Sequence, residues 1–235
     1  MYCRIADLIV NVPEAGSLAP RYREYLVEQS EEEHITICEN RFRRNVWPSL
    51  DNDGMRYMES GIQFYTFLVG FNGLMLHASA VELDGKAYLF SGPCGMGKST
   101  HTKLWQQTFG PAAQVFNDDK PAIRRLDGKW YAYGTPWCGK DGISQNKKVP
   151  LAGICFLKQS IKNRIRQLTP VEAIRRIMPQ TRSKFSQVEK LDLMLQLVEK
   201  LALEIPVFEL ENRPEPEAAL LSYETMRRKA EEIGL

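Results

Sequence analysis

The sequence predicts a mixed α/β fold: a large α/β core over residues 74–235, preceded by a small α+β subdomain over residues 1–73. Three observations carry that expectation. From residue 74 onward, apolar strand-like runs alternate with glycine turns and helix-like stretches, the order expected of an α/β or mixed core. A glycine-rich run, Gly92 to Gly97, stands between an apolar strand and a helical stretch. Before residue 74 the elements are short and lack that alternation, which sets this part aside as a separate unit.

Residues 3–12 read as a strand, 20–27 as a short helix, and the alternation of residues 34–39 (HITICE) as a second strand. Residues 51–53 offer a helix start. Met55, Met58, Ile62, Tyr65, Phe67 and Leu68 then space the apolar positions of a helix that Gly70 and Gly73 end. Residues 74–83 and 86–91 are two apolar strands joined at Asp84-Gly85, a strong hairpin signal. A helix over 100–107 follows the glycine-rich run, then strands over 114–116, 129–133 and 151–158. Residues 170–177 and 187–203 read as helices, the second with a long apolar face that packs internally. Residues 207–210 form a late strand, and 215–233 a closing helix with Pro214 and Pro216 near its start.

The 235 residues suffice for one large domain, or for one domain with a small appendage. An apolar fraction of 43% supports a proper core. A net charge of +2, spread along the chain, argues against a dedicated nucleic-acid binder, which would show a basic stripe. The short basic clusters, Arg41, Arg43 and Arg44, then Arg227, Arg228 and Lys229, have acidic neighbours and read as solvated faces. No run approaches the roughly 20 apolar residues of a membrane helix. The start of the chain lacks a basic region followed by a long apolar one. Cys3, Cys38, Cys94, Cys138 and Cys155 are scattered without a C-x-x-C pair, as free thiols in a reducing compartment would be. The expected setting is the cytoplasm, with no membrane and no nucleic acid as partner.

Gly92-Pro93-Cys94-Gly95-Met96-Gly97-Lys98-Ser99, followed by Thr100, fits G-x-x-x-x-G-K-[ST] at every fixed position. The spacing has a chemical reason. The glycines let successive N–H groups turn inward as a nest for phosphate oxygens, and the following helix adds its N-terminal donors. Lys98 would reach the β- and γ-phosphates of ATP, and the Ser99 hydroxyl would ligate Mg²⁺. Cys94 reads as a tolerated small residue within the loop.

Asp118 and Asp119 end the strand at 114–116, where a carboxylate near such a loop holds Mg²⁺. Two adjacent carboxylates can divide the labour, one for metal and one for the proton of an incoming hydroxyl. Asn117-Asp118-Asp119 is also good turn chemistry. His77 lies on the strand before the hairpin, whereas His34 and His101 read as satisfied core histidines.

Together, LHASAVELDGKAYLFSGPCGMGKST and FNDDKPAI resemble the catalytic domain of the HPr kinase/phosphorylase family, over about residues 74–160. That family's core is shared with phosphoenolpyruvate carboxykinases, and its nucleotide site sits on a mixed, largely antiparallel sheet. The resemblance implies that Lys98 and Ser99 handle phosphate and Mg²⁺. It also implies that the Asp118–Asp119 pair supplies base and metal ligand, and that His77 lies near the phosphates or the acceptor. Which aspartate does which job stays open; Asp119 is named with Ser99 for the metal. Thr100 stands where the bifunctional family has a glutamate, and Gly134-Thr135-Pro136-Trp137-Cys138-Gly139-Lys140 replaces its later glycine-rich signature. Phosphorylase activity and HPr as the acceptor are therefore not implied. In that segment Trp137 offers a flat apolar wall and Lys140 a cation for transition-state charge. Arg182 is a weaker second cation.

The expected function is an ATP-dependent P-loop kinase, with ATP and Mg²⁺ as cofactors and a hydroxyl acceptor on a small protein, a peptide or a small molecule. The alternatives are a nucleotide-sensing module without turnover and a carboxykinase-like lyase. Residues 1–73 could bind the acceptor or a partner, and a homo-oligomer is compatible with the family.

Overall fold

The computed structural model describes residues 1–13, 16–28, 32–181 and 188–235; Arg182 lies outside the described residues. Strands β1 (Tyr2–Ile5) and β2 (Leu8–Asn11) form an antiparallel hairpin where the sequence reads a single strand. The reversal falls at Ala6 and Asp7, with φ of 52° and 61°. An aspartate tolerates that left-handed backbone. Here its side chain is also held by the core, accepting a hydrogen bond from Tyr133 Oη (2.8 Å) and pairing with Lys148 Nζ (2.8 Å). Helix α1 (Ala19–Tyr22) runs into a short 3₁₀ turn, and β3 (Ile35–Thr36) adds to β2 in parallel. Helix α2 (Asn52–Leu68) starts as its sequence predicts, with Asp51 capping the Gly54 N–H at 2.7 Å.

The second part begins with β4 (Gly73–Met75), β5 (Ala78–Leu83) and β6 (Lys86–Ser91). The run at 74–83 is therefore two strands, not one. Leu76 N–H goes to Pro121 O and His77 N–H to Gln180 O, and the chain crosses between two lobes of the sheet. Asp84 and Gly85, with φ of 53° and 69°, make the expected tight hairpin turn between β5 and β6. After β6 come α3 (Lys98–Phe109), β7 (Gln114–Asn117), β8 (Ala122–Leu126), β9 (Lys129–Tyr133) and β10 (Lys148–Gln159). Next are β11 (Arg164–Gln167), α4 (Pro170–Ile177), α5 (Val188–Glu204), β12 (Val207–Asn212) and α6 (Pro216–Glu232).

The larger sheet runs β4-β8-β9-β10-β6-β5-β7, with β12 also on β10 and β11 on β12. Strand β10 joins its two lobes. Its first residues pair antiparallel with β9; beyond Leu151 it runs parallel to β6, and from Ile154 parallel to β12. The register shift between Leu151 and Gly153 marks the change of partner.

Strands β5 and β6 read as continuous apolar runs because both faces of the sheet are covered. Ala87 and Leu89 pack with Phe116, Ile154 and Leu201 under α4 and α5. Tyr88 and Phe90 point the other way, to Trp105 of α3 and Met226 of α6. A further cluster joins Ile5, Val10, Tyr25, Phe64 and Tyr65 to Met75, Tyr133 and Trp137. Trp137 stacks on Phe64, with ring centroids 4.7 Å apart. Of the basic clusters, Arg43 does more than face solvent: it forks onto Glu59 (3.2 and 3.1 Å), a carboxylate only 1% exposed. No helix among the described residues is long and apolar enough to cross a membrane.

Asp7 gives a test of how the first hairpin is held. Burial raises its carboxyl, but Lys148 and Tyr133 outweigh that and leave it below its ordinary value of 3.8. Its ionised form thus stabilises the fold above pH 3.8, and the contribution is lost as pH falls through the lowered value. Asp7→Asn, which keeps the turn, is expected to unfold at lower urea than wild type near neutral pH. The gap should close progressively in acid below pH 3.8; a gap independent of pH would contradict this account.

Candidate active site

Strand topology places the sequence-predicted residues together. Strand β5 lies between β6 and β7 and is antiparallel to both, pairing Ala78 with Ser91 and Ala80 with Asn117. The start of β5 and the ends of β6 and β7 therefore meet at one end of the sheet. His77 directly precedes β5, while Gly92 and the Asp118–Asp119 pair directly follow β6 and β7.

The glycine-rich loop turns from β6 into α3 through Gly92, Gly95 and Gly97, with φ of 149°, 80° and 96°, a region that only glycine enters readily. Lys98 folds back over the loop, donating to Gly92 O (2.9 Å) and Pro93 O (3.3 Å). Burial pulls its ammonium below the ordinary lysine value, against the opposing pull of Asp119. Ser99 and Thr100 are exposed in the first turn of α3.

Asn117 orders the acidic pair. Its Oδ1 accepts from the N–H groups of Asp119 (3.2 Å) and Lys120 (2.9 Å), while its Nδ2 donates to Thr135 O (3.0 Å). The turn chemistry of the sequence and its candidate site are thus one feature. The two carboxylates then meet opposite environments. Asp119 Oδ1 takes His77 Nε2 at 3.2 Å, and Oδ2 takes Lys120 Nζ at 2.6 Å and Tyr57 Oη at 3.4 Å. Burial would raise its pKa, but His77 and Lys120 hold it well below the usual carboxylate range. Asp118 accepts the Gly139 N–H at 2.6 Å. Burial, with Asp119 and Asp141 nearby, lifts its pKa above the usual value despite that bond.

Three contributors went unread in the sequence. Lys120 bridges Asp119 and Tyr57 Oη (2.8 Å) and lies 4.5 Å from the centre of the Tyr57 ring. Tyr57 in turn donates to Cys138 O (2.8 Å). Gln180 holds His77 twice, by its carbonyl to the backbone N–H (2.9 Å) and by Oε1 to Nδ1 (3.1 Å). Only Lys120 had a sequence signal, its place beside the acidic pair.

These groups line a cleft of ≈ 760 Å³ that α2, Pro93 and Cys94 of the loop, and residues 179–181 also border. His77, Asp119, Lys120 and Trp137 line it. Lys140 is exposed and does not line it. His101 sits apart in the core, its Nε2 3.1 Å from Ser222 Oγ, with burial pushing its pKa down to about 3. His34, expected in the core, is instead exposed, with its Nδ1 accepting the Ile9 N–H (3.2 Å).

No protein-family model matches the chain. No curated protein matches it in sequence. Among solved structures the chain is similar to the Hpr(Ser) kinase/phosphatase from Coxiella burnetii, at 12% identity and a TM-score of 0.36, over 66% of this chain and 88% of that one. The superposition is loose.

The glycines of residues 134–139 divide by what they make room for. A Cβ on Gly134 would sit 1.8 Å from Gln145 O, a backbone atom that cannot yield cheaply. A Cβ on Gly139 would meet Asp118 Oδ2 at 2.8 Å, a side-chain atom that can move. Gly134→Ala is expected to cost more than about 2 kcal/mol by urea unfolding. Gly139→Ala should cost less. Equal costs, or a harmless Gly134→Ala, would contradict the packing described.

Proposed function

We propose that the chain is an ATP-dependent kinase that transfers a γ-phosphate to a hydroxyl acceptor. The observation that carries this reading is the convergence of the Gly92–Ser99 loop, the Asp118–Asp119 pair and His77 at one sheet end beside a cleft. The positive-φ glycines and the free first turn of α3 suit a nest for phosphate oxygens. Lys98, resting on loop carbonyls, is placed to exchange them for the β- and γ-phosphates.

The charge pattern supports a division of labour within the acidic pair. Asp119 already has Lys120 and His77 against its two oxygens and faces the cleft. It is suited to accept a hydrogen bond from the acceptor hydroxyl, orient it and take its proton late in transfer. Asp118 is buried, with carboxylates as its charged neighbours, a setting that a cation would relieve. The sequence left the division within the pair open, with Asp119 named for Mg²⁺; the charge environment favours Asp118, with Ser99, in that place. No group of three or more His, Cys, Asp or Glu among the described residues forms a metal cage. One or two protein oxygens completed by nucleotide phosphates and water is the usual arrangement for Mg²⁺, which would neutralise phosphate charge. Lys120 adds a fixed cation on the acceptor side.

Isothermal titration with ATP, with and without Mg²⁺, tests the reading. Binding in the micromolar range that requires Mg²⁺, and is weakened at least tenfold in Lys98→Ala, is the expected result. Asp119→Asn should keep that binding and lose about 10²-fold or more in turnover to ADP. Unimpaired turnover in Asp119→Asn would point away from this assignment, and absence of ATP binding by folded protein would end the kinase reading.

A further inference from the structure

We propose that the cleft beside Asp119 is the acceptor site and that it takes a small alcohol with an apolar body; the transfer step rests on the kinase reading, the binding does not. At ≈ 760 Å³ the cleft has the size of pockets that enclose small organic ligands. Its lining is of two kinds. His77, Asp119 and Lys120 supply its titratable groups, whereas Trp47, Met58, Ile62 and Met75 add lining without charge.

Helix α2 builds this wall deliberately. Phe64, Tyr65 and Leu68 fill the core, yet Met58 and Ile62, one turn apart, are left half-buried facing the cleft. The Trp47 wall is fixed by a buried acid: its Nε1 donates to Glu59 Oε1 at 2.7 Å, and Arg43 neutralises that carboxylate. A buried, paired carboxylate that orients an indole lining a cleft is preorganisation of a binding surface.

The same walls select among acceptors. A polyol would leave hydroxyls facing Met58 and Ile62 without partners, at a cost for each. A peptide would look for a strand edge, but several backbone N–H groups that border the cleft are already engaged: His77 to Gln180 O, Lys120 to Asn117 Oδ1 and Thr181 to Ile177 O. An alcohol of one or two rings suits both kinds of lining, with its hydroxyl at Asp119 and its rings along α2. In the transfer, the γ-phosphorus–oxygen bond to ADP breaks, a bond forms from phosphorus to the alcohol oxygen, and the hydroxyl proton passes to Asp119.

The test uses the full chain with naphthaleneethanol as probe, and glycerol and a blocked pentapeptide with serine between leucines and phenylalanines as controls. Binding is read by calorimetry without nucleotide, and transfer by label from γ-labelled ATP. Naphthaleneethanol is expected to bind and accept label, the controls at least tenfold less. Ile62→Lys, and the milder Met58→Gln, should weaken probe binding and raise its KM, at least tenfold for Ile62→Lys, with the Kd for Mg²⁺–ATP unchanged within twofold. The proposal is overturned if the pentapeptide or glycerol is the better ligand, if the probe does not bind, or if both variants bind it like wild type. Probe binding without ATP binding would uphold the cleft and count against the kinase reading alone.

Discussion

The arrangement of β5 between β6 and β7 is the constraint on which the site depends. Because both neighbours run antiparallel to β5, its first residue and their last ones lie at the same sheet end. Side chains far apart in sequence are thereby assembled by backbone hydrogen bonds. The tight Asp84-Gly85 turn fixes the register of one pair, and a slip of one residue would send Tyr88 and Phe90 to the wrong face. Burial on both faces therefore protects the geometry of the site as much as the stability of the sheet.

On that frame the electrostatics separate two adjacent, chemically identical carboxylates. Asp119 is clasped between His77 and Lys120 and stays ionised; Asp118 has Gly139 N–H and carboxylate neighbours, and holds its proton more tightly. In a partly dry site such differences persist because water does not level them. The supports are outside the motif. Asn117 sets the turn, Gln180 aims His77, and Tyr57 ties Lys120 to the 134–139 segment through Cys138 O.

What the sequence made legible was local. The loop pattern at Gly92–Ser99, the Asp84-Gly85 turn, the Asp51 cap and the helices at 170–177 and 215–233 are each written in neighbouring residues, and the mixed α+β architecture follows from them. The break of residues 74–83 into β4 and β5 was not legible, because Leu76 and His77 stay apolar-flanked while their N–H groups leave for Pro121 and Gln180. Strand β8 escaped although Asp127-Gly128 carries the same turn signal as Asp84-Gly85. Strand β11, charged and exposed, has almost no apolar signature. Tyr57 and Trp47 could not be read as site residues, since only packing brings α2 and residue 47 to the acidic pair. The first 73 residues read as a separate unit; in the structure their side chains share a cluster with Met75, Tyr133 and Trp137, and they supply one wall of the cleft.

The central claim is that nucleotide phosphates sit in the Gly92–Ser99 loop with the acidic pair facing them. Amide hydrogen exchange with and without a non-hydrolysable ATP analogue and Mg²⁺ reads this directly. The account predicts slowed exchange confined to the amides of residues 92–100 and 117–120, the loop, the first turn of α3 and the turn that Asn117 orders. Protection centred elsewhere on the chain, with these amides exchanging as in the free protein, would contradict it.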